Sequence, residues 1–265
     1  MQDFEQIAVD VDARGVAYLR LNNPARKNAL SARMMDELTA FSTEAPKSDL
    51  RAVVLSGSDA TFCAGGDLTW MQAQIQADRA GRMAEARRLA MMLKTLNEMP
   101  LPLIGRIEGV ALGGGVGMAC VCDIAIASQD CRFGLTETRL GLIPATISPY
   151  VIARMGEGRA RQVFMNARIF DGTEAERLGI IVRAVQPADL DAAIEAEVAP
   201  YLKLPASSVG RAKALARSLG PRIDEDVIEA TIERLADTWD TNEAREGIAA
   251  FLEKRPPAWA SDTGE

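Results

Sequence analysis

The chain of 265 residues predicts an α/β fold that closes in an all-helical segment, and three observations carry that expectation. The run at 51–57 (RAVVLSG) is continuously apolar rather than alternating, the pattern of a buried parallel strand, and 101–108 (LPLIGRIE) and 122–128 (CDIAIAS) read as further short strands. Between such runs, apolar residues recur at helical spacing, as at Met83, Ala86, Leu89, Ala90, Leu93 and Leu96. From about residue 187 the strand pattern stops and helical segments follow near 187–203, 205–219, 224–238 and 242–254. Strand–loop–helix units followed by helices alone read as an α/β core with a helical tail, divided near 195 into 1–195 and 196–265.

In chain order, EQIAVDVDARGVAYLRLN alternates on both sides of Asp12–Gly15 and predicts a β-hairpin. NNPARKNAL is a loop, and Ser31 is placed to cap a helix over about 31–45. The strand at 51–57 runs into a glycine-rich loop, SDATFCAGGDL, and a helix fills 80–98. The strand at 101–108 delivers the chain into LGGGVGMACVCD, where a helix starts near 114, and CDIAIAS is a further strand. RFGLTETRLGLIP follows as a tight connection.

Composition excludes several functions. The net charge is −7 and the isoelectric point about 4.9, which disfavours nucleic acid or an anionic membrane as a partner. Histidine is absent, which removes the commonest general base and zinc ligand, so proton transfer falls to a carboxylate, lysine, cysteine, tyrosine or backbone-bound water. Cys63, Cys120, Cys122 and Cys131 lack metal-ligand spacing and read as buried thiols. No metal or separate cofactor is expected. The opening MQDFEQIAVDVD carries neither an apolar targeting core nor an arginine-rich presequence, and no apolar run reaches the roughly 20 residues of a bilayer span. The expected location is cytoplasmic.

The two glycine loops suggest one task. Amide N–H groups around Gly113–Gly115 are unpaired helix-start donors, and glycine lets a ligand oxygen approach them. CAGGD follows a buried strand in the same way. If each loop aims one N–H at a common oxygen, the pair forms an oxyanion hole, in which one donor is worth about 2.7–4 kcal/mol. The competing readings are phosphate binding and plain packing. The first lacks both the P-loop lysine and the dinucleotide spacing.

PARKNAL, FCAGGDL, GVALGGGVGMACVCDIAIAS, RFGLTETRLGLIP and the C-terminal FLEKRPP, in this order, resemble the crotonase (enoyl-CoA hydratase/isomerase) superfamily over nearly the whole chain. The resemblance implies a spiral of ββα units with a C-terminal helical trimerisation region. It also implies a homotrimer or dimer of trimers, and an acyl-CoA substrate whose coenzyme A is part of the substrate rather than a cofactor. It assigns the oxyanion donors to Ala64 and Gly114. The stretch Ala64, Gly65, Gly66, Asp67, Leu68 is assigned to coenzyme A, Lys27 to its phosphates, and Phe251 with Lys254 to the ligand of a neighbouring subunit.

Hydratases of this family often use two glutamates. Here one position holds Gly117 and the other Glu137, in FGLTE. A single carboxylate suffices for syn hydration if a dry pocket raises its pKa toward neutrality. The structural alternative for Glu137 is a salt bridge with Arg139. Gly117 leaves room for water or for a larger substituent. Omitting a carboxylate there also relieves repulsion with an acidic substrate, worth ~1 kcal/mol at 4 Å in water. RLGLIPATISPYV, together with glycine at 117, resembles the bacterial branch acting on 3-substituted glutaconyl-CoA esters. Small residues at Ala111, Gly115, Gly117 and Ala145 favour the isohexenyl over the 3-methyl ester. Trp70, Met71 and Ile75 are candidates either for the acyl wall or for core packing. The alternatives left open are a Δ3,Δ2-enoyl-CoA isomerase and a non-catalytic acyl-CoA binder.

Overall fold

The computed structural model describes residues 4–260. The chain opens with the hairpin β1 (Ile7–Val11) and β2 (Val16–Leu21), then α1 (Ala32–Glu44), β3 (Ala52–Gly57), α2 (Leu68–Gln76), α3 (Arg79–Glu98) and β4 (Leu103–Ile107). There follow β5 (Val110–Leu112), α4 (Gly114–Val121), β6 (Ile124–Ser128), β7 (Arg132–Gly134), α5 (Ser148–Met155), α6 (Glu157–Phe164) and β8 (Ile169–Phe170). The last elements are α7 (Gly172–Leu178), β9 (Arg183–Val185), α8 (Leu190–Val198), α9 (Ala206–Ser218), α10 (Glu225–Trp239) and α11 (Asn242–Glu253). Ser31 caps α1 as its sequence position implies, accepting from the Met34 N–H at 3.1 Å.

Six strands form one sheet in the order β1-β2-β3-β4-β6-β9, antiparallel only in the first pair, and β5-β7-β8 form a second. β4–β5–α4 and β6–β7–α5 each place one strand in each sheet before a helix, which gives the expected ββα spiral. The continuous apolar runs follow from burial on both faces. Val53 and Leu55 point into the main core with Met34, Leu38 and Phe41 of α1. Val54, Ile104 and Ile126 point the other way, onto Leu190, Ile194 and Val198 of α8. Each such side chain contributes roughly 1.5–3 kcal/mol relative to exposure.

The helical tail packs back onto the core. Ile228 and Ile232 of α10 meet Ala86 and Ala90 of α3. Ala244 and Ile248 of α11 pack with Leu142 and Trp239. α9 has no buried residue and exposes Leu215, with Leu219 just beyond its end. Among the described residues, no helix is long and apolar enough to cross a membrane.

Candidate active site

The first glycine loop is held by Asn28. This residue is fully buried, and all four hydrogen-bonding positions of its amide are used. Nδ2 donates to the Ser58 and Thr61 carbonyls at 3.0 and 2.6 Å, while Oδ1 accepts from the Asn23 N–H and the Ser58 hydroxyl, both at 3.0 Å. The knot fixes Lys27 and Asn28 in left-handed backbone (φ 52° each), a conformation that non-glycine residues rarely hold. In that conformation the Lys27 carbonyl accepts the Ala64 N–H at 3.1 Å. Asn28→Ala is expected to lower stability by about 2–4 kcal/mol and to raise KM for every CoA ester. A melting transition and KM equal to wild type would remove this role from the side chain.

That bond corrects the assignment of Ala64. Its amide is spent inside the loop and is not available to a ligand. Leu30 N–H donates to the Gly65 carbonyl at 2.7 Å and Asp67 N–H to the Leu30 carbonyl at 3.0 Å. Among the described residues the Gly66 N–H between them has no partner, and it becomes the loop's donor. The register of the Leu30–Gly66 bridge decides this, and the string AGG does not reveal which of its amides is free. Asp67 uses its carboxylate to cap α2, accepting from the Thr69 and Trp70 N–H groups at 2.9 and 3.1 Å.

The second loop is set by sheet register. Leu112 of β5 pairs with Gly134 of β7, and Gly113 N–H donates to the Gly134 carbonyl at 2.9 Å. The first backbone bond into α4 is Gly117 N–H to the Gly113 carbonyl at 3.1 Å, so Gly114 sits at the helix start with a donor unpaired among the described residues. Leu30 joins the two loops. Its backbone brackets Gly66, and its Cδ1 lies 2.6 Å from where a Cβ on Gly114 would stand.

Glu137 opens a 3-10 turn, Glu137–Leu140, three residues past the end of β7. The turn ends at Gly141 in the left-handed region (φ 68°), against the backbone of α11. Glu137 Oε1 lies 2.9 Å from where a Cβ on Gly113 would stand, so only glycine leaves the carboxylate its place. Among the described residues, Oε2 is shut off from solvent and has no hydrogen-bond partner. Burial pushes the carboxyl up to about 7, offset in part by a hydrogen bond from its own backbone. Among the described residues it forms no ion pair, so the bridge to Arg139 is not made.

A cavity of about 780 Å³ joins these parts. Its wall includes Lys27, Ala64, Gly65, Gly66, Asp67, Leu68, Gly114, Glu137 and Phe251, as well as Trp70, Met71 and Ala145. Gly117 is not on that wall. A Cβ there would stand 2.6 Å from Ile147 Cγ2 and 3.0 Å from its Cβ, so Ile147 already fills the space expected for water or substrate. Gly115 is turned away likewise, onto the Cys63 carbonyl, while Ala111 is core and Ile75 packs toward the tail. Phe251, half-exposed, lies on the cavity wall of its own chain. Lys254 ends α11 in left-handed backbone, off the wall. The four cysteines are free and buried.

Sequence reading missed Arg26, Arg132, Arg139 and Thr146 on the wall, which three separate segments bring together. Among the described residues, Arg26, Lys27, Arg132 and Arg139 make no ion pair, whereas most other arginines do. An acidic chain thus keeps uncompensated positive charge at one cavity, which suits an anionic ligand.

A family model described as enoyl-CoA hydratase/isomerase matches residues 12–262. The chain is 32% identical over 263 residues to the mitochondrial methylglutaconyl-CoA hydratase of Mus musculus, covering 96% of this chain and 82% of that one. A solved enoyl-CoA hydratase of Mycobacterium avium superposes with a TM-score of 0.83 at 32% identity, covering 96% of this chain and 98% of that one. The solved structure of Pseudomonas aeruginosa AtuE gives 0.78 at 35% identity, covering 97% and 100%.

Proposed function

The chain belongs to the enoyl-CoA hydratase/isomerase family, and from that premise we propose that it hydrates a 3-substituted glutaconyl-CoA thioester. As an enoyl-CoA hydratase-type enzyme, it acts on an acyl-CoA substrate. In this reading the Gly66 and Gly114 N–H groups hold the thioester oxygen as it gains charge. Glu137 takes a proton from water as the oxygen attacks Cβ, then returns a proton to Cα on the same face.

One observation carries the choice of a single-base hydratase. Glu137 is a carboxylate with a buried, unpartnered oxygen beside a helix start, held at a pKa near working pH. The other carboxylate on the wall, Asp67, is occupied in capping. Two features support the glutaconyl class. Arg132 and Arg139 offer unpaired charge to a second carboxylate, and Trp70, Leu142, Ile143, Leu235 and Trp239 offer an apolar wall to a branched tail. That wall favours the isohexenyl ester over the 3-methyl ester.

The test is loss of enoyl-thioester absorbance with isohexenylglutaconyl-, 3-methylglutaconyl- and crotonyl-CoA. Turnover of a glutaconyl ester above crotonyl-CoA is expected. Arg139→Met should cut kcat/KM for that ester by about 10–100-fold, the worth of a charge-assisted hydrogen bond, and leave crotonyl-CoA unaffected. Crotonyl-CoA as the best substrate would overturn the glutaconyl reading. Conversion of 3-enoyl to 2-enoyl esters without hydration would make the protein an isomerase using the same carboxylate.

A further inference from the structure

We propose that the Thr146 hydroxyl positions the water that Glu137 activates, an assignment that rests on the hydratase reading. Buried side-chain atoms without a hydrogen-bond partner are few among the described residues, and two of them belong to the cavity wall: Glu137 Oε2 and Thr146 Oγ1. Thr146 is only 4% exposed, so its hydroxyl is dry unless something in the cavity meets it. Unpaired buried polar atoms are unfavourable, and two on one wall call for a shared polar guest.

The chain between the two residues is short and braced. Leu142 N–H donates to the Glu137 carbonyl at 3.1 Å, Ala145 N–H to the Ile143 carbonyl at 2.8 Å, and Ser148 Oγ to the Ala145 carbonyl at 2.6 Å. α5 then starts at Ser148. Thr146 is therefore fixed relative to the turn that carries the base. Its neighbour Ile147 closes the space beside Gly117, so no carboxylate approaches from α4. Of the two hydroxyls on the wall, Thr136 and Thr146, only that of Thr146 is buried without a partner among the described residues. It is the one left to hold the water's second end.

The chemistry balances without ionising threonine. One O–H of the water points to the Glu137 carboxylate and the other to Thr146 Oγ, which accepts it. The free lone pair forms the C–O bond at Cβ, and the π electrons move to the thioester oxygen under the two amide donors. Glu137 takes one water proton and delivers a proton to Cα as the carbonyl reforms. Thr146 neither gains nor loses a proton, and is a positioning residue.

Thr146→Val preserves shape and removes the hydroxyl, whereas Thr146→Ser keeps it. With the best ester of the panel, the valine variant should lose roughly 10–100-fold in kcat with KM unchanged, the cost of a misplaced reactant. Serine should restore most of the rate. The absorbance shift of a bound enoyl thioester, which reports the oxyanion donors, should be the same in all three proteins. Wild-type kcat in the valine variant overturns the assignment, and equal losses in valine and serine overturn it in favour of packing. A wild type that hydrates none of the esters overturns the hydratase reading and this assignment with it.

Discussion

Replacing Glu137 by glutamine should lower the rate of hydration by about 10²–10⁴, the range removed with a general acid–base group. The substitution keeps the size of the side chain and its place beside Gly113, and CoA-ester binding should persist. No histidine exists to stand in for the base, and Asp67 is committed to the α2 cap. In the wild type, hydration needs the ionised carboxylate. With the carboxyl held at about 7, log kcat/KM should climb through neutral pH and level off above it. The variant should show a low, flat profile. Retention of both the rate and the pH limb in Glu137→Gln would move the base elsewhere.

The same substitution should stabilise the fold at alkaline pH. The carboxyl binds its proton more tightly in the folded chain, at about 7, than in the unfolded chain, at the ordinary 4.5. Below 4.5 both states are protonated and Glu137 adds nothing to the pH dependence. Between 4.5 and 7 the unfolded chain ionises while the folded one resists, so stability falls as pH rises. The loss is complete above 7 and amounts to roughly 3 kcal/mol. Glutamine carries no charge to bury, so denaturation at pH 8 should show Glu137→Gln more stable than wild type. At pH 4 the two should coincide. A variant less stable than wild type at pH 8 would mean that the carboxylate is not desolvated as its surroundings imply.

The sequence carries the parts of this site that depend on local spacing and hides those that depend on register. Continuous apolar runs, the Ser31 cap and the glycines at a helix start are readable because each is set within a few residues. Glu137 is readable by resemblance and by the absence of histidine. The identity of the first amide donor is not, because Ala64 gives its N–H to the Lys27 carbonyl. The bridge to Leu30 uses the groups on either side of Gly66 and leaves the Gly66 N–H without a partner among the described residues. Gly117 misleads for a related reason. A missing side chain reads as empty space, yet the space belongs to Ile147, thirty residues on in the chain and adjacent in the fold. The arginines at the cavity come from three segments whose convergence has no local signal. The short helix α2 and strand β5 escape notice because they are brief and follow glycine-rich loops.

Alanine at two nearby glycines should give opposite results. At Gly66 the backbone is outside the left-handed region, and an added Cβ would meet Trp70 and Met71 at ordinary distances of 3.6–3.7 Å. The amide survives that substitution, so Gly66→Ala should hydrate at a rate close to wild type. Gly113 has φ 49° and ψ −111°, a combination essentially confined to glycine. A Cβ there would also stand 2.9 Å from Glu137 Oε1. The carboxylate must then move by a substantial fraction of an ångström, or Gly113 must swing and pull the Gly114 amide with it. Displacement on that scale costs about 10²-fold in rate. The pH profile separates the two outcomes. A base pushed from its dry site toward water titrates closer to 4.5, so the rising limb of log kcat/KM should shift to lower pH in Gly113→Ala. A limb still at about 7 on a rate reduced 10²-fold would place the damage on the amide donor instead, since the base would still be buried where it began. Full activity in Gly113→Ala would mean that neither group depends on the glycine, and the close approach between the loop and Glu137 would lose its catalytic meaning.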